Sequence, residues 1–156
     1  MERKVVWKKG DRFERSAQFK VEARASELFP LLCPVLEYDW IPDWRCQMRW
    51  SDSGYAERDV TFTTKMTPFG RELWTCLVYE PPRRIEYLFT HGSKASVRLE
   101  IELSEEGGSC LVKWRMRFTA ARGFWSRTLR RMMSEKSYAA MMATRERQLA
   151  QYFAAR

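Results

Sequence analysis

Val97-Arg98-Leu99-Glu100-Ile101-Glu102-Leu103 and Val112-Lys113-Trp114-Arg115-Met116-Arg117-Phe118 alternate apolar with charged residues without a break, and Gly107-Gly108 stands between them. Successive side chains of a strand point to opposite faces of a sheet, so each run reads as a half-buried strand with one apolar and one charged face. The glycines supply the backbone freedom to reverse the chain. Together they predict an antiparallel hairpin whose inner face is aliphatic and aromatic.

Working back toward the N-terminus, the same period recurs. Ile85, Tyr87 and Phe89 define one apolar face, Trp74, Cys76 and Val78 a second, Val60 and Phe62 a third, and Cys46, Met48 and Trp50 a fourth. Ser53-Gly54, Pro68 to Gly70, Pro81-Pro82 and Gly92-Ser93 punctuate these runs, so consecutive hairpins are expected. Residues 73–79 are apolar at both parities, and periodicity alone does not choose their inner face. Residues 13–25 alternate again, with Phe13, Ala17, Phe19, Val21 and Ala23 on one side. Ser26 then reads as a helix N-cap with Glu27 in the first turn. Pro30 and Pro34 keep that helix short, and 35–44, with Trp40 and Trp44 around Pro42, reads as an irregular connection.

After the hairpin, alternation stops. Residues 123–153 are dominated by Leu, Met, Ala, Arg, Glu and Gln, good helix formers, and predict one long helix. Trp125, Leu129, Met132, Ala139, Ala143, Ala150 and Phe153 fall at helical spacings and form its expected buried stripe, interrupted by Lys136 and Glu146.

Bulk properties bound the rest. A chain of 156 residues is about one domain in size, enough to bury roughly 68–70% of its unfolded surface. No linker or repeat divides it, so 1–156 is expected to be a single domain. Aromatic residues at 14% and charged residues at 31% describe a well-solvated chain with ample core material. No run reaches the roughly 18 apolar residues of a membrane span, and the N-terminus lacks the apolar stretch of a secretory signal; a cytoplasmic protein is expected. Cys33, Cys46, Cys76 and Cys110 are far apart and out of ligand spacing with His91, which argues for reduced thiols and against a zinc site or disulfide framework. No metal or cofactor is called for. The net charge of +8 comes from arginines scattered along strands and helix, so no specific nucleic-acid binding is expected.

One strand, two short helices, six more strands and a long helix bury all their apolar faces if a strongly curved sheet wraps the last helix. That is an α+β architecture with a curved seven-stranded antiparallel sheet. Its element order, with Leu-Phe-Pro-Leu-Leu-Cys-Pro-Val-Leu-Glu-Tyr-Asp-Trp-Ile-Pro-Asp-Trp at 28–44 and Tyr-Glu-Pro-Pro-Arg-Arg-Ile-Glu-Tyr at 79–87, resembles the SRPBCC, or START-like, superfamily. This group includes birch-pollen-allergen-like, lipid-transfer and polyketide cyclase/dehydrase-like proteins. The resemblance implies a helix-grip fold with a cavity between sheet and C-terminal helix that holds a small hydrophobic, lipid-like, aromatic or polyketide-like molecule. Trp74, Tyr87, Phe89, Leu99, Trp114, Met116 and Phe118 would line its sheet side. Trp40, Trp44, Met48 and Phe62, with Leu129 and Met132 from the helix, complete the expected ligand-binding set. The same residues could instead close-pack and leave no hole.

Four polar residues are candidates for chemistry in such a cavity. Arg58 shares the parity of Val60 and Phe62 and would need a partner, for which Glu37 is suited. His91 shares the parity of Phe89 and is the one histidine, the side chain best matched to proton transfer near neutral pH. Tyr87 could assist, as could Tyr38 and Asp39. No nucleophile triad, phosphate-binding glycine loop or dinucleotide fingerprint is present. Three functions therefore stand open: a non-catalytic binder or carrier of a small hydrophobic molecule, a cyclase/dehydrase-like enzyme using the same cavity, and a basic module for an anionic membrane, protein or RNA. The last would use Arg127, Arg130, Arg131 and Lys136. A homodimer is left open.

Overall fold

The computed structural model describes residues 8–67 and 70–156, with the side chains of 66 and 67 excepted. The expected turn at Pro68 to Gly70 lies partly outside the described residues, as do residues 1–7. Seven strands form one antiparallel sheet: β1 Asp11–Val21, β2 Cys46–Trp50, β3 Thr61–Thr67, β4 Gly70–Glu80, β5 Arg84–His91, β6 Ala95–Glu106 and β7 Ser109–Ala120. Their order across the sheet is β1-β7-β6-β5-β4-β3-β2. After β1 come helix α1 (Ala25–Leu28) and 3₁₀ turns at Phe29–Leu32 and Glu37–Asp39; helices α2 (Phe124–Met132) and α3 (Glu135–Ala154) close the chain. The expected α+β helix-grip architecture is thus present.

The unbroken alternation at 97–103 and 112–118 forms the β6–β7 hairpin. Its register sets Val97 opposite Phe118, Leu99 opposite Met116, Ile101 opposite Trp114 and Leu103 opposite Val112, all buried. Gly107 and Gly108 have φ of 58° and 93°, values that residues with a Cβ rarely adopt. On the opposite face, arginines are balanced by carboxylates. Arg84 and Arg98 both donate to Glu86, Arg115 donates to Glu100, and Arg117 meets Glu14 at 3.1 Å. Four of the scattered arginines thus have partners within the sheet.

Two strand readings are resolved by local irregularity. In β4 the inward residues are Trp74 and Cys76, after which the register shifts before Val78, leaving Leu73 and Tyr79 outside. In β2 the register shifts between Met48 and Trp50, so Trp50, expected on the inner face, is 49% exposed. A bulge adds a residue without a partner and changes the side-chain parity beyond it.

The helices depart further from expectation. Ser26 is not the cap of α1. The helix starts at Ala25 after Arg24, whose backbone N–H donates to Glu27 at 3.1 Å, while Glu105 of β6 accepts from the Ala25 N–H. The C-terminal segment is two helices, not one. α2 ends at Met132, and Ser134 caps α3 by accepting from the Ser137 N–H at 3.2 Å. Arg15 of β1 donates to the carbonyl of Met133, fixing the break against the sheet. The break rotates the buried stripe. Beyond it Tyr138, Met142 and Leu149 are buried, whereas the expected Ala139, Ala143 and Ala150 are exposed. Among the described residues no helix is long and apolar enough to cross a membrane.

Candidate functional site

The sheet's concave face and the two C-terminal helices enclose a cavity of about 280 Å³. Its sheet wall is built by the period-2 face of β3 to β7. Phe62, Trp74 and Phe89 form a stack across three neighbouring strands, with ring centroids 5.5 and 3.8 Å apart, and Tyr87 meets both Phe62 and Trp74 edge-on. Leu99, Trp114, Met116 and Phe118 continue that wall onto β6 and β7. Leu129 and Met132 of α2 face it, joined by Met133, Met141 and Met142. Trp44 closes one side, held by its indole N–H donating to the Pro34 carbonyl at 2.7 Å.

Two members of the expected set lie elsewhere. Trp40 is buried in the core, with its indole N–H donating to the Leu31 carbonyl at 2.8 Å, but does not line the cavity. Met48 packs on the outside of the core from edge strand β2. Arg58 is also displaced from its expected place. It is exposed, because β3 begins only at Thr61 and Asp59, at φ 69°, breaks the alternation on which its inward parity relied. Glu37 therefore has a different neighbour, Arg145 of α3. Tyr38 and Asp39 are exposed in the turn beside it.

Polar groups reach the cavity in two places. Thr64 of β3 and Glu72 of β4 are paired in register, and His91 stands beside Glu72 at the end of β5. Glu72 is 1% exposed and accepts from the Thr64 hydroxyl, which accepts from the Trp74 indole at 2.8 Å. His91 is 5% exposed, with Nδ1 3.8 Å from Glu72 Oε1. Burial lowers the imidazole pKa from its ordinary 6.5, and the nearby Glu72 carboxylate opposes that shift. His91 is therefore a cavity residue rather than a solvated turn residue.

Glu37 and Arg145 line the cavity elsewhere, Glu37 from the turn before β2 and Arg145 from α3. Burial pushes the Glu37 carboxyl up from 4.5 to about 8, only partly offset by the positive Arg145. The Glu37 side chain is half-buried, lining the cavity rather than packed away from it. Arg145 donates from Nη1 to Gln148 at 2.9 Å, and its guanidinium sits 5.8 Å from the centroid of the Trp40 ring. Burial lowers its pKa from 12.5, against the pull of Glu37. Tyr87 donates its hydroxyl to the Leu32 carbonyl at 3.0 Å, and burial holds its pKa well above 10. That hydroxyl is committed to structure.

Sequence reasoning had no route to Glu72 or Arg145. Glu72 has the parity of Trp74, which residues 73–79 left undecided, and Arg145 faces inward only because of the helix break.

Comparison with known proteins adds the following. Residues 12–154 match the family described as polyketide cyclase / dehydrase and lipid transport. No curated protein matches the sequence. Among solved structures, norcoclaurine synthase from Thalictrum flavum, in complex with dopamine and hydroxybenzaldehyde, is similar at 11% identity with a TM-score of 0.67. The alignment covers 96% of this chain and 98% of that one. The Mll3558 protein from Rhizobium loti aligns at 12% identity and TM-score 0.61, over 86% of this chain and 98% of its own. CalU16 from Micromonospora echinospora aligns at 15% identity and TM-score 0.54, over 94% and 96%. At these identities the likeness is one of fold.

Proposed function

The chain belongs to the polyketide cyclase / dehydrase and lipid transport family, and from that premise we propose that it binds and carries a small hydrophobic molecule in the cavity between sheet and C-terminal helices. The observation that carries this reading is the unfilled space of about 280 Å³ behind an aromatic and methionine wall. It lies near the small end of the roughly 300–1,000 Å³ common for small-molecule sites. That suits a one- or two-ring molecule better than a sterol or a two-chain lipid. Aromatic faces and thioethers offer such a guest flat, polarizable contact. In this reading 1–156 is a single ligand-binding domain that works in the cytoplasm, as reduced thiols would suit.

Thermal denaturation of the purified protein against a panel of one- and two-ring compounds tests this. A genuine ligand at about a hundred times its Kd adds about 2.7 kcal/mol to the native state and raises Tm accordingly. Leu129→Trp, which projects an indole into the space, should abolish that shift while leaving the circular dichroism spectrum native. Stabilisation by no member of the panel, or equal stabilisation of the filled variant, would defeat the proposal.

A second reading, a cyclase/dehydrase-like enzyme, is favoured by one observation: His91 and Glu72 converge on the cavity, 3.8 Å apart. An imidazole whose pKa burial has lowered is a neutral base at physiological pH. It could take a proton from the carbon beside a carbonyl and return it to a departing hydroxyl, so that water leaves and a C=C bond forms. Glu72 would orient the imidazole and stabilise its protonated form. Under this reading His91→Gln binds the substrate but releases no water; an unimpaired rate in that variant would eliminate it.

A further inference from the structure

Arg145 is an unusual residue to find on the wall of an apolar cavity. A guanidinium is charged at any physiological pH, and removing it from water is costly without a counter-charge. Among the described residues it forms no ion pair, and its side-chain hydrogen bond goes to the neutral Gln148. The carboxyl group nearest in influence is Glu37, on the opposite element lining the same space. The other groups close to Glu37 supply no compensating charge. The thiols of Cys33 and Cys46 are pushed upward by burial and stay neutral, as does Tyr87. Asp39 is exposed, and Glu72 is occupied with Thr64 and His91.

A carboxyl held up by burial is mostly a hydrogen-bond donor at neutral pH. Arg145, one Nη1 hydrogen bond of which goes to Gln148, and Glu37 then offer the cavity the remaining N–H groups of a planar fork and an O–H, with a net positive charge and no carboxylate paired to it among the described residues. Fork geometry matches a carboxylate or a similar planar oxyanion.

We propose that the cavity's ligand is a hydrophobic acid, a one- or two-ring molecule whose carboxylate or comparable oxyanion lies against Arg145 and accepts a hydrogen bond from Glu37. This rests on the cavity being a ligand site and adds the chemical class of the guest. The apolar rings lie on the Phe62, Trp74 and Phe89 stack, and the far edge of the molecule is turned toward His91 and Glu72.

The test uses three probes of one shape on the full chain: 2-naphthoate, its neutral 2-naphthamide, and cationic 2-naphthylmethylamine, with Kd read from tryptophan fluorescence. At about pH 6.5 naphthoate should bind about tenfold tighter than the amide, and the amine weakest. The preference should shrink to about twofold by about pH 9.5, where ionised Glu37 neutralises the site. Glu37→Gln should keep the preference across that range, Arg145→Gln should abolish it, and Arg145→Lys should retain part of it. Equal affinity for naphthoate and naphthamide in the unmodified protein at the lower pH overturns the proposal while leaving the cavity reading intact. Binding of none of the three overturns both. The wild-type comparison stands even if an Arg145 variant fails to fold.

Discussion

The cavity has two walls of opposite character. The sheet wall is a stack of aromatic rings on hydrogen-bonded strands, each ring clamped by its neighbours. The helical wall is four methionines and Leu129 on two helices and the break between them. Rings with few torsions on a paired backbone hold one arrangement; thioethers with three torsions on a broken helix accommodate several. The contrast teaches how the molecule divides its work. The sheet fixes where Glu72 and His91 stand, and the helical side supplies the more adaptable surface.

The largest effect should come from breaking the sheet wall. Phe62 is fully buried and touches Trp44, Trp74 and Tyr87, so Phe62→Ala should cost about 3–5 kcal/mol in urea unfolding. A loss under about 1 kcal/mol would mean that the stack does not hold the wall.

Next is a dependence on pH carried by the group between the two walls. Glu37 has a folded-state pKa of about 8 against 4.5 unfolded. Between those values the unfolded chain has released a proton that the folded chain keeps. Stability is therefore fullest below 4.5 and falls as pH rises toward 8, by up to about 1.4 kcal/mol per unit. Glu37→Gln should flatten the slope in chemical denaturation series. A slope unchanged by the substitution would show that Glu37 is ionised in the folded protein. His91 acts in the other direction. With its folded pKa below 6.5, it removes stability as pH drops beneath 6.5.

A smaller effect sharpens the comparison from the helical side. Ser134→Ala removes the N-cap of α3 and should cost about 1 kcal/mol. It should also weaken ligand binding if the break sets the phase of Arg145. The smallest effect is expected from Met132→Leu, a near volume-conserving change at a half-buried site, at under about 1.5 kcal/mol and with the native fold retained. A cost like that of Phe62→Ala would mean that the helical wall is as rigid as the sheet.

The fold was legible because six of the seven apolar strand faces repeat at period 2, and that signal needs no knowledge of distant residues. Most of the cavity wall followed from it, from Phe62 through Phe118. The readings that failed share a cause. The expected inward positions of Arg58 and Trp50 rest on a parity extended across a positive-φ residue and a bulge, where parity is lost. Trp40 and Met48 are apolar residues of the right kind that pack in or against the core without lining the cavity. At the helix break, Ser134-Glu135 carries the same cap signal as Ser26-Glu27, but good helix formers on both sides conceal it.

The sequence by itself determined the strands, their hairpin order, the apolar face and the presence of a C-terminal helical cover, because these arise from backbone geometry repeated along neighbouring residues. Only the tertiary structure decided that the hollow stays open, that Glu72 meets His91, and that Arg145 faces Glu37. Each of those joins residues far apart in the chain. Each depends on the rotation of one element against another, which a bulge or a single helix cap changes by a whole face.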